Sequence, residues 1–143
     1  MEKMENLCID TDILIDHLRG YPETVEEIKS LEGIFHLSTT VVNSFELYYG
    51  AYKTKRGKTN ILSVDKLLRR LSVLQMTEAT SKLAGEILAD LEKKGEIIEF
   101  RDAFIASIAI THNTILFTRN INHFERIKTI KEDFEKPPDQ ITI

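Results

Sequence analysis

The hydrophobic positions alternate between short continuous runs and spacings of three or four residues. Leu7, Cys8 and Ile9 form an apolar run that stops at Asp10, and Thr11-Asp12 offers capping side chains to a helical stretch from Ile13 to Leu18. Gly20 and Pro22 close that stretch and open a second, whose apolar positions Val25, Ile28 and Leu31 share one helical face. Ile34 to Leu37 reads as a second strand. Thr39 or Thr40 then caps a helix in which Val41, Phe45, Tyr48 and Tyr52 form the expected buried stripe, with Glu46 beside it.

Lys53, Lys55, Arg56 and Lys58 crowd a Gly57-containing segment, expected to be a loop because Ile61, Val64, Leu67, Leu68 and Leu71 resume a helical period after it. Val73 to Met76 is a third strand. Thr77 caps the next helix, Glu78 suits its dipole, and Leu83, Ile87 and Leu91 mark its face up to Gly95. Asp102 opens the densest apolar segment, Ala103 to Ile110, which reads as a central buried helix. Thr114 to Phe117 is a fourth strand ending at Thr118-Arg119-Asn120. Pro137-Pro138 sets apart Ile141-Thr142-Ile143 as an edge strand. Strands alternating with helices predict one α/β domain over residues 1–143, with a parallel sheet covered on both faces.

Composition narrows the class. With 143 residues, 42% hydrophobic and 29% charged, the chain has the balance of a folded globular protein. The single cysteine, Cys8, excludes an internal disulfide framework and a cysteine-rich zinc site, and reads as a small buried strand residue. The opening residues form no signal-peptide core and no apolar run reaches membrane-spanning length, so a cytoplasmic location is expected. Nineteen Lys and Arg against 23 Asp and Glu give a net charge of −4, which argues against a protein that coats nucleic acid electrostatically. An enzyme that cuts nucleic acid with a cation as intermediary remains compatible.

Three acids stand at telling places. Asp10 ends the first strand, Glu46 rides the helix after the second, and Asp102 opens the buried helix, with Asn120 to His123 after the fourth strand. Ligand sites in open α/β sheets form outside the carboxyl ends of the strands. Carboxylates converging there repel one another and need a cation. With neither cysteine ligands nor a His-x-x-x-His pair, the suitable ion is Mg²⁺, with Mn²⁺ as substitute. Such an ion polarises a phosphodiester and lowers the pKa of water, so hydrolysis needs no protein nucleophile.

These segments resemble one family. Asn6-Leu7-Cys8-Ile9-Asp10-Thr11-Asp12-Ile13-Leu14 is similar to the opening of PIN domains. Phe45-Glu46-Leu47-Tyr48-Tyr49-Gly50 resembles the glutamate helix of the VapC toxins, and Arg101-Asp102-Ala103-Phe104-Ile105-Ala106 their third acidic motif. Leu116 to Asn120, continuing through His123-Phe124-Glu125-Arg126, resembles their C-terminal motif. The resemblance covers about the whole chain, in the right order. It implies a three-layer α/β/α sandwich with a mainly parallel central sheet. The implied activity is that of a Mg²⁺-dependent endoribonuclease toxin of a type II system. A VapB-like antitoxin would neutralise it by covering the site, and the toxin would form a homodimer. Carried over by position, Asp10, Glu46 and Asp102 are the metal-coordinating acids, Thr11 supports the first, and Asn120 takes the polar position of the last motif. Many family members carry a fourth acid where this chain has His123, which leaves the number of metal ions open.

Each residue also has a plainer reading. Asp10 and Asp102 suit helix N-termini, Glu46 suits a solvated helix face, and capping accounts for Asp12 completely. Asn120 is either a turn residue or part of the site. His123 is a proton carrier, an RNA contact, or a surface residue in place of a nonessential acid. Lys53, Lys55, Arg56 and Lys58 either hold RNA backbone or form a solvated loop. Arg101 and Arg119 either bind phosphate or pair with Glu99 and other neighbours. Tyr48, Tyr49 and Tyr52 read as core or subunit interface before base-stacking platforms, and His17, His36 and His112 carry no motif. Two rival functions stand beside the nuclease. One is a haloacid-dehalogenase-like phosphatase suggested by Asp10-Thr11-Asp12, which lacks the later paired acids. The other is a PIN-like module that has lost catalysis and binds RNA or protein.

Overall fold

Period-two alternation in the first strand sorts the molecule into layers. The computed structural model describes residues 4–127 and 141–142. In β1 (Asn6–Ile9), Leu7 and Ile9 join one core cluster while Cys8 joins the other. The first cluster includes Ile13, Leu14, Ile28, Leu47, Val64 and Leu67, on α1 (Thr11–Leu18), α2 (Pro22–Glu32), α3 (Val41–Lys53) and α4 (Gly57–Leu68). The second gathers Ile87 and Leu91 of α5 (Glu78–Lys93) with Ala103, Ile105, Ala106 and Ile108 of α6 (Phe100–Thr111). Phe124 of the short α7 (Ile121–Phe124) closes that side. Three layers result, with the sheet between two sets of helices. Among the described residues no helix is long and apolar enough to cross a membrane.

The sheet has the order β3-β2-β1-β4-β5, with β2 at His36–Thr40, β3 at Ser72–Leu74, β4 at Ile115–Phe117 and β5 at Ile141–Thr142. The first four strands run parallel, and β5 adds antiparallel to β4, where an edge strand was expected. Ile143 and the two prolines before it lie outside the described residues. From β1 the chain adds strands outward on one side and then crosses to β4 on the other. The strand order therefore reverses at the carboxyl ends of β1 and β4, where such sheets place their ligand crevice.

Several boundaries differ from the sequence expectation. Helix α1 starts at Thr11, and its cap is Asp10, whose side chain accepts from the Thr11 amide; Asp12 lies in the first turn. Strand β2 starts at His36 rather than Ile34, because the Ile34 and Phe35 amides still bond to Leu31 and finish the turn after α2. The strand runs on through Ser38 and Thr39, buried because their hydroxyls donate to the Leu7 and Ile9 carbonyls of β1. Of the basic run, Lys53 ends α3 and Lys58 lies within α4, so only residues 54–56 connect the helices. Asp102 sits one turn into α6, after Glu99 at the cap position.

The largest difference is the face of α3. Its buried residues are Val42, Asn43, Leu47 and Ala51; of the expected stripe, Val41 and Tyr48 are partly buried against the core while Phe45 and Tyr52 are 55% and 69% exposed, as is Tyr49 at 53%. The capping box explains the rotation: Thr40 and Asn43 bond reciprocally at the helix start, and Asn43 faces inward with no exposure at all.

Candidate active site

Strand β1 delivers Asp10 to the crevice still tied into the sheet, since its amide donates to the Phe117 carbonyl of β4 at 2.9 Å. The carboxylate is buried and takes three bonds. Thr11 N and Asn43 Nδ2 donate to Oδ1 at 2.8 and 2.9 Å, and Thr118 Oγ1 donates to Oδ2 at 2.6 Å. Burial nevertheless pushes the Asp10 carboxyl up to about 6; Thr118 pulls it down, and the nearby charges of Asp12 and Glu46 add to the rise.

Asn43 fixes this arrangement with its full bonding capacity. Its amide also donates to Thr11 Oγ1 at 2.9 Å, while its carbonyl accepts from Thr40 Oγ1 at 2.7 Å and Thr40 N at 3.2 Å. Thr11 Oγ1 in turn donates to Glu46 Oε1 at 2.7 Å. Asp10 and Glu46 are thus bridged through one hydroxyl. The side of Glu46 away from Thr11 meets Arg101 of α6, whose Nη1 lies 3.6 Å from Oε2 and whose Nη2 donates to Glu99 at 3.0 Å.

Asp102 reaches the same region by another route. Its Oδ2 lies 3.0 Å from His123 Nδ1, which is also 2.9 Å from Asn120 Nδ2. A protonated Nδ1 donates to Asp102; an unprotonated one accepts from the Asn120 amide. The Asn120 backbone amide donates to Thr118 Oγ1 at 2.9 Å. Asp102, His123, Asn120, Thr118 and Asp10 therefore form one chain of contacts along the loop after β4.

Other expected residues are placed differently. Asp12 spends its oxygens on the amides of Ile13 (2.8 Å) and Arg119 (3.1 Å), and burial raises its carboxyl pKa. The Arg119 guanidinium pairs with Asp16 and donates to Thr24 at 3.2 Å, clamping α1 and α2 to the loop. Lys53, Lys55, Arg56 and Lys58 are exposed at the α3–α4 corner. His36 bonds Ser72 and His112 faces the Gln75 carbonyl, partners outside the acidic crevice. Sequence reasoning missed Asn43 and singled out no role for Thr118. Asn43 stands three residues after Thr40, a capping-box spacing that marks an asparagine with a side-chain task.

Among the described residues, no three His, Cys, Asp or Glu side chains are gathered closely enough to enclose a metal ion by themselves. The donor set still suits a hard cation. The acids offer only oxygen, Asp10 and Glu46 stand together, and Mg²⁺ takes one or two carboxylates while keeping waters and substrate oxygens.

The fold and this acidic crevice define an α/β domain with a carboxylate centre at the strand-order reversal. The PIN domain family matches residues 7–130, and the chain belongs to that family and, within it, to the VapC group. It is 33% identical over 132 residues to ribonuclease VapC2 of Rickettsia felis, spanning 90% of this chain and 97% of the relative. It is 29% identical to the tRNA(fMet)-specific endonuclease VapC of Shigella flexneri, over 91% and 98% of the two chains. The crystal structure of R. felis VapBC2 bound to a DNA fragment from its promoter superposes with a TM-score of 0.79 at 30% identity, covering 85% of this chain and 92% of the other. DNA-bound VapBC of Salmonella typhimurium gives 0.77 at 28% identity, over 87% and 93%. Family membership decides against the phosphatase alternative.

Proposed function

We propose that this protein is an endoribonuclease toxin that hydrolyses RNA phosphodiester bonds with a divalent cation, Mg²⁺ or in its place Mn²⁺, and is neutralised by a VapB-like antitoxin. The observation that carries the reading is the buried Asp10 carboxylate, held by three donors and bridged to Glu46, in a chain similar to VapC ribonucleases over nine-tenths of its length. Asp10 and Glu46 would hold the cation, and Asp102, expected as the third ligand, would join them only on leaving His123. When bound, the cation supplies polarisation of the phosphodiester and a lowered water pKa.

The chain's own residues do the rest. Asn43 and Thr118 fix the Asp10 oxygens, so the carboxylate does not reorient as charge develops on the phosphate. Thr11 sets Glu46, Asn120 and His123 set Asp102, and Arg101 offers a guanidinium to a phosphate oxygen beside Glu46. The antitoxin arrives as a cationic segment, since a Lys or Arg offsets the same negative charge as the metal. A homodimer and a cytoplasmic location complete the reading.

The test is cleavage of a mixed structured RNA by purified, antitoxin-free protein with Mg²⁺, with Mn²⁺, with EDTA, and by Asp10→Asn. Cleavage with either metal that vanishes in EDTA, and falls at least about 100-fold in the variant, is expected. Wild-type rates in Asp10→Asn would sink the assignment. His123, at the position where many family members carry a fourth acid, supports a binding module as second reading; folded protein that binds RNA but never cuts it would establish that reading instead.

A further inference from the structure

The acidic crevice carries a cation of its own. Among the described residues, the carboxylates of Asp10, Glu46 and Asp102 have one Lys or Arg within ion-pair distance, and it is Arg101. Arg101 stands one residue before Asp102, in the first turn of α6. That is a poor place for a cation, because the free amides and the dipole of a helix start favour acids. Two carboxylates hold it there. Its Nη2 donates to Glu99 at 3.0 Å, while its Nη1 lies 3.6 Å from Glu46 Oε2, beyond hydrogen-bond length. The guanidinium is bonded to the outer acid and only faces the inner one.

Glu46 is committed in the same partial way. Thr11 Oγ1 donates to its Oε1 at 2.7 Å, and Oε2 is the oxygen that Arg101 faces. A divalent cation shared by Asp10 and Glu46 brings positive charge to the carboxylate that already has a guanidinium beside it, and like charges repel.

Resting on the cation reading of this site, we propose that Arg101 is a positioning residue that serves as an internal counter-ion to Glu46. It offsets the carboxylate in the metal-free protein, raises the metal concentration at which the site fills, and retreats toward Glu99 when it does. Glu99 suits that second stop, since its side chain is 64% exposed and already takes Nη2. With Glu46 shared by the cation, the guanidinium stands beside the crevice without its inner partner and is free for a phosphate oxygen. Metal loading and RNA binding then reinforce each other. An ion pair that merely holds Glu46 in place makes the opposite demand. Its loss would loosen a ligand and weaken the metal site, whereas the loss of a competing counter-ion tightens it.

The experiment is calorimetric titration of Mn²⁺ into the metal-free full chain, with no RNA present. Wild type is compared with Arg101→Gln, Arg101→Lys, Glu99→Gln and the double variant Glu99→Gln/Arg101→Gln. Arg101→Gln should bind Mn²⁺ about fivefold more tightly, the worth of one partly exposed ion pair, and the gain should shrink as salt is raised. Arg101→Lys keeps the charge and should stay within about twofold of wild type. Glu99→Gln releases the guanidinium wholly to Glu46 and should bind about two- to threefold more weakly. In the Arg101→Gln background the same change should have little effect, because Glu99 acts through Arg101. Weaker or unchanged binding by Arg101→Gln overturns the proposal and leaves Arg101 a structural partner of Glu46. Tighter binding by Glu99→Gln overturns it as well, whatever Arg101→Gln does. If wild type takes up Mn²⁺ and Arg101→Gln gains nothing, only the counter-ion fails. If wild type takes up none, the cation reading fails and the counter-ion falls with it.

Discussion

Asp10 and Asp102 stand at opposite ends of one chain of polar contacts, and the fold holds them very differently. Asp10 is 6% exposed and takes bonds from a backbone amide, an asparagine and a threonine supplied by three separate segments. The Asp102 side chain is 15% exposed and meets His123, itself 40% exposed. One carboxylate is fixed before any ligand arrives; the other is held by a side chain that can change partner. Fixing Asp10 in this way has an energetic consequence, because burial opposes its charge more than its donors favour it. The crevice is thus built around a carboxylate that is uncomfortable until a cation shares it.

The largest expected effect follows from that discomfort. A carboxyl raised from 3.8 to about 6 on folding binds its proton more tightly in the native state, so stability falls as pH rises from about 4 to about 6. The Asp10 contribution to that loss is at most about 3 kcal/mol. Asp12 is raised as well and adds a loss of the same sign. Urea unfolding of metal-free wild type and Asp10→Asn across pH 4–8 isolates the first residue. The variant should be the more stable above pH 6 and the gap should close at pH 4. Added Mg²⁺ should narrow the gap at pH 7. A gap independent of pH would mean that burial does not oppose the charge of Asp10.

Removing a donor sharpens the contrast next. Thr118→Val keeps the shape and deletes the hydroxyl that holds Asp10 Oδ2, so the carboxyl should climb further and the acidic limb of the pH–rate profile should move to higher pH. Cleavage at pH 7 should drop about 10–100-fold, the usual loss when a group supporting a metal ligand is removed. Asn43→Ala should fall in the same range without the isosteric replacement, since it releases Asp10 and Thr11 together. A rate unchanged in Thr118→Val would show that burial alone orients Asp10.

These supporting groups were the part of the site least legible in the sequence. The strands, the edge strand and the acids at strand and helix ends follow from local signals: an apolar run that stops at Asp10, or a helix as apolar as Ala103 to Ile110. The face of α3 does not. Its aromatic period is genuine, but an inward asparagine that must satisfy Asp10 and Thr11 turns the helix, and that bond joins residues 33 positions apart. Ser38 and Thr39 extend β2 for a related reason, since their hydroxyls find carbonyls on a neighbouring strand that no local pattern reveals. Which acids share a hydroxyl, and which meets a histidine, depends on such distant partners.

The smallest expected effect probes the looser end. If His123 acts by holding Asp102, the atom that matters is Nδ1, 3.0 Å from Oδ2, and Nε2 is dispensable. Asparagine places an amide group near the position of Nδ1, and glutamine places one near Nε2. His123→Ala should weaken Mn²⁺ binding, read by calorimetry, by about tenfold, the low end for outer partners of a ligand. His123→Asn should restore most of that loss and His123→Gln should not, with unfolding midpoints alike in all three. The opposite ranking would mean that the ring works through Nε2, as a contact to RNA. Equal binding by all three would mean that Asp102 keeps its place unaided, and the contrast with Asp10 would then be one of burial alone.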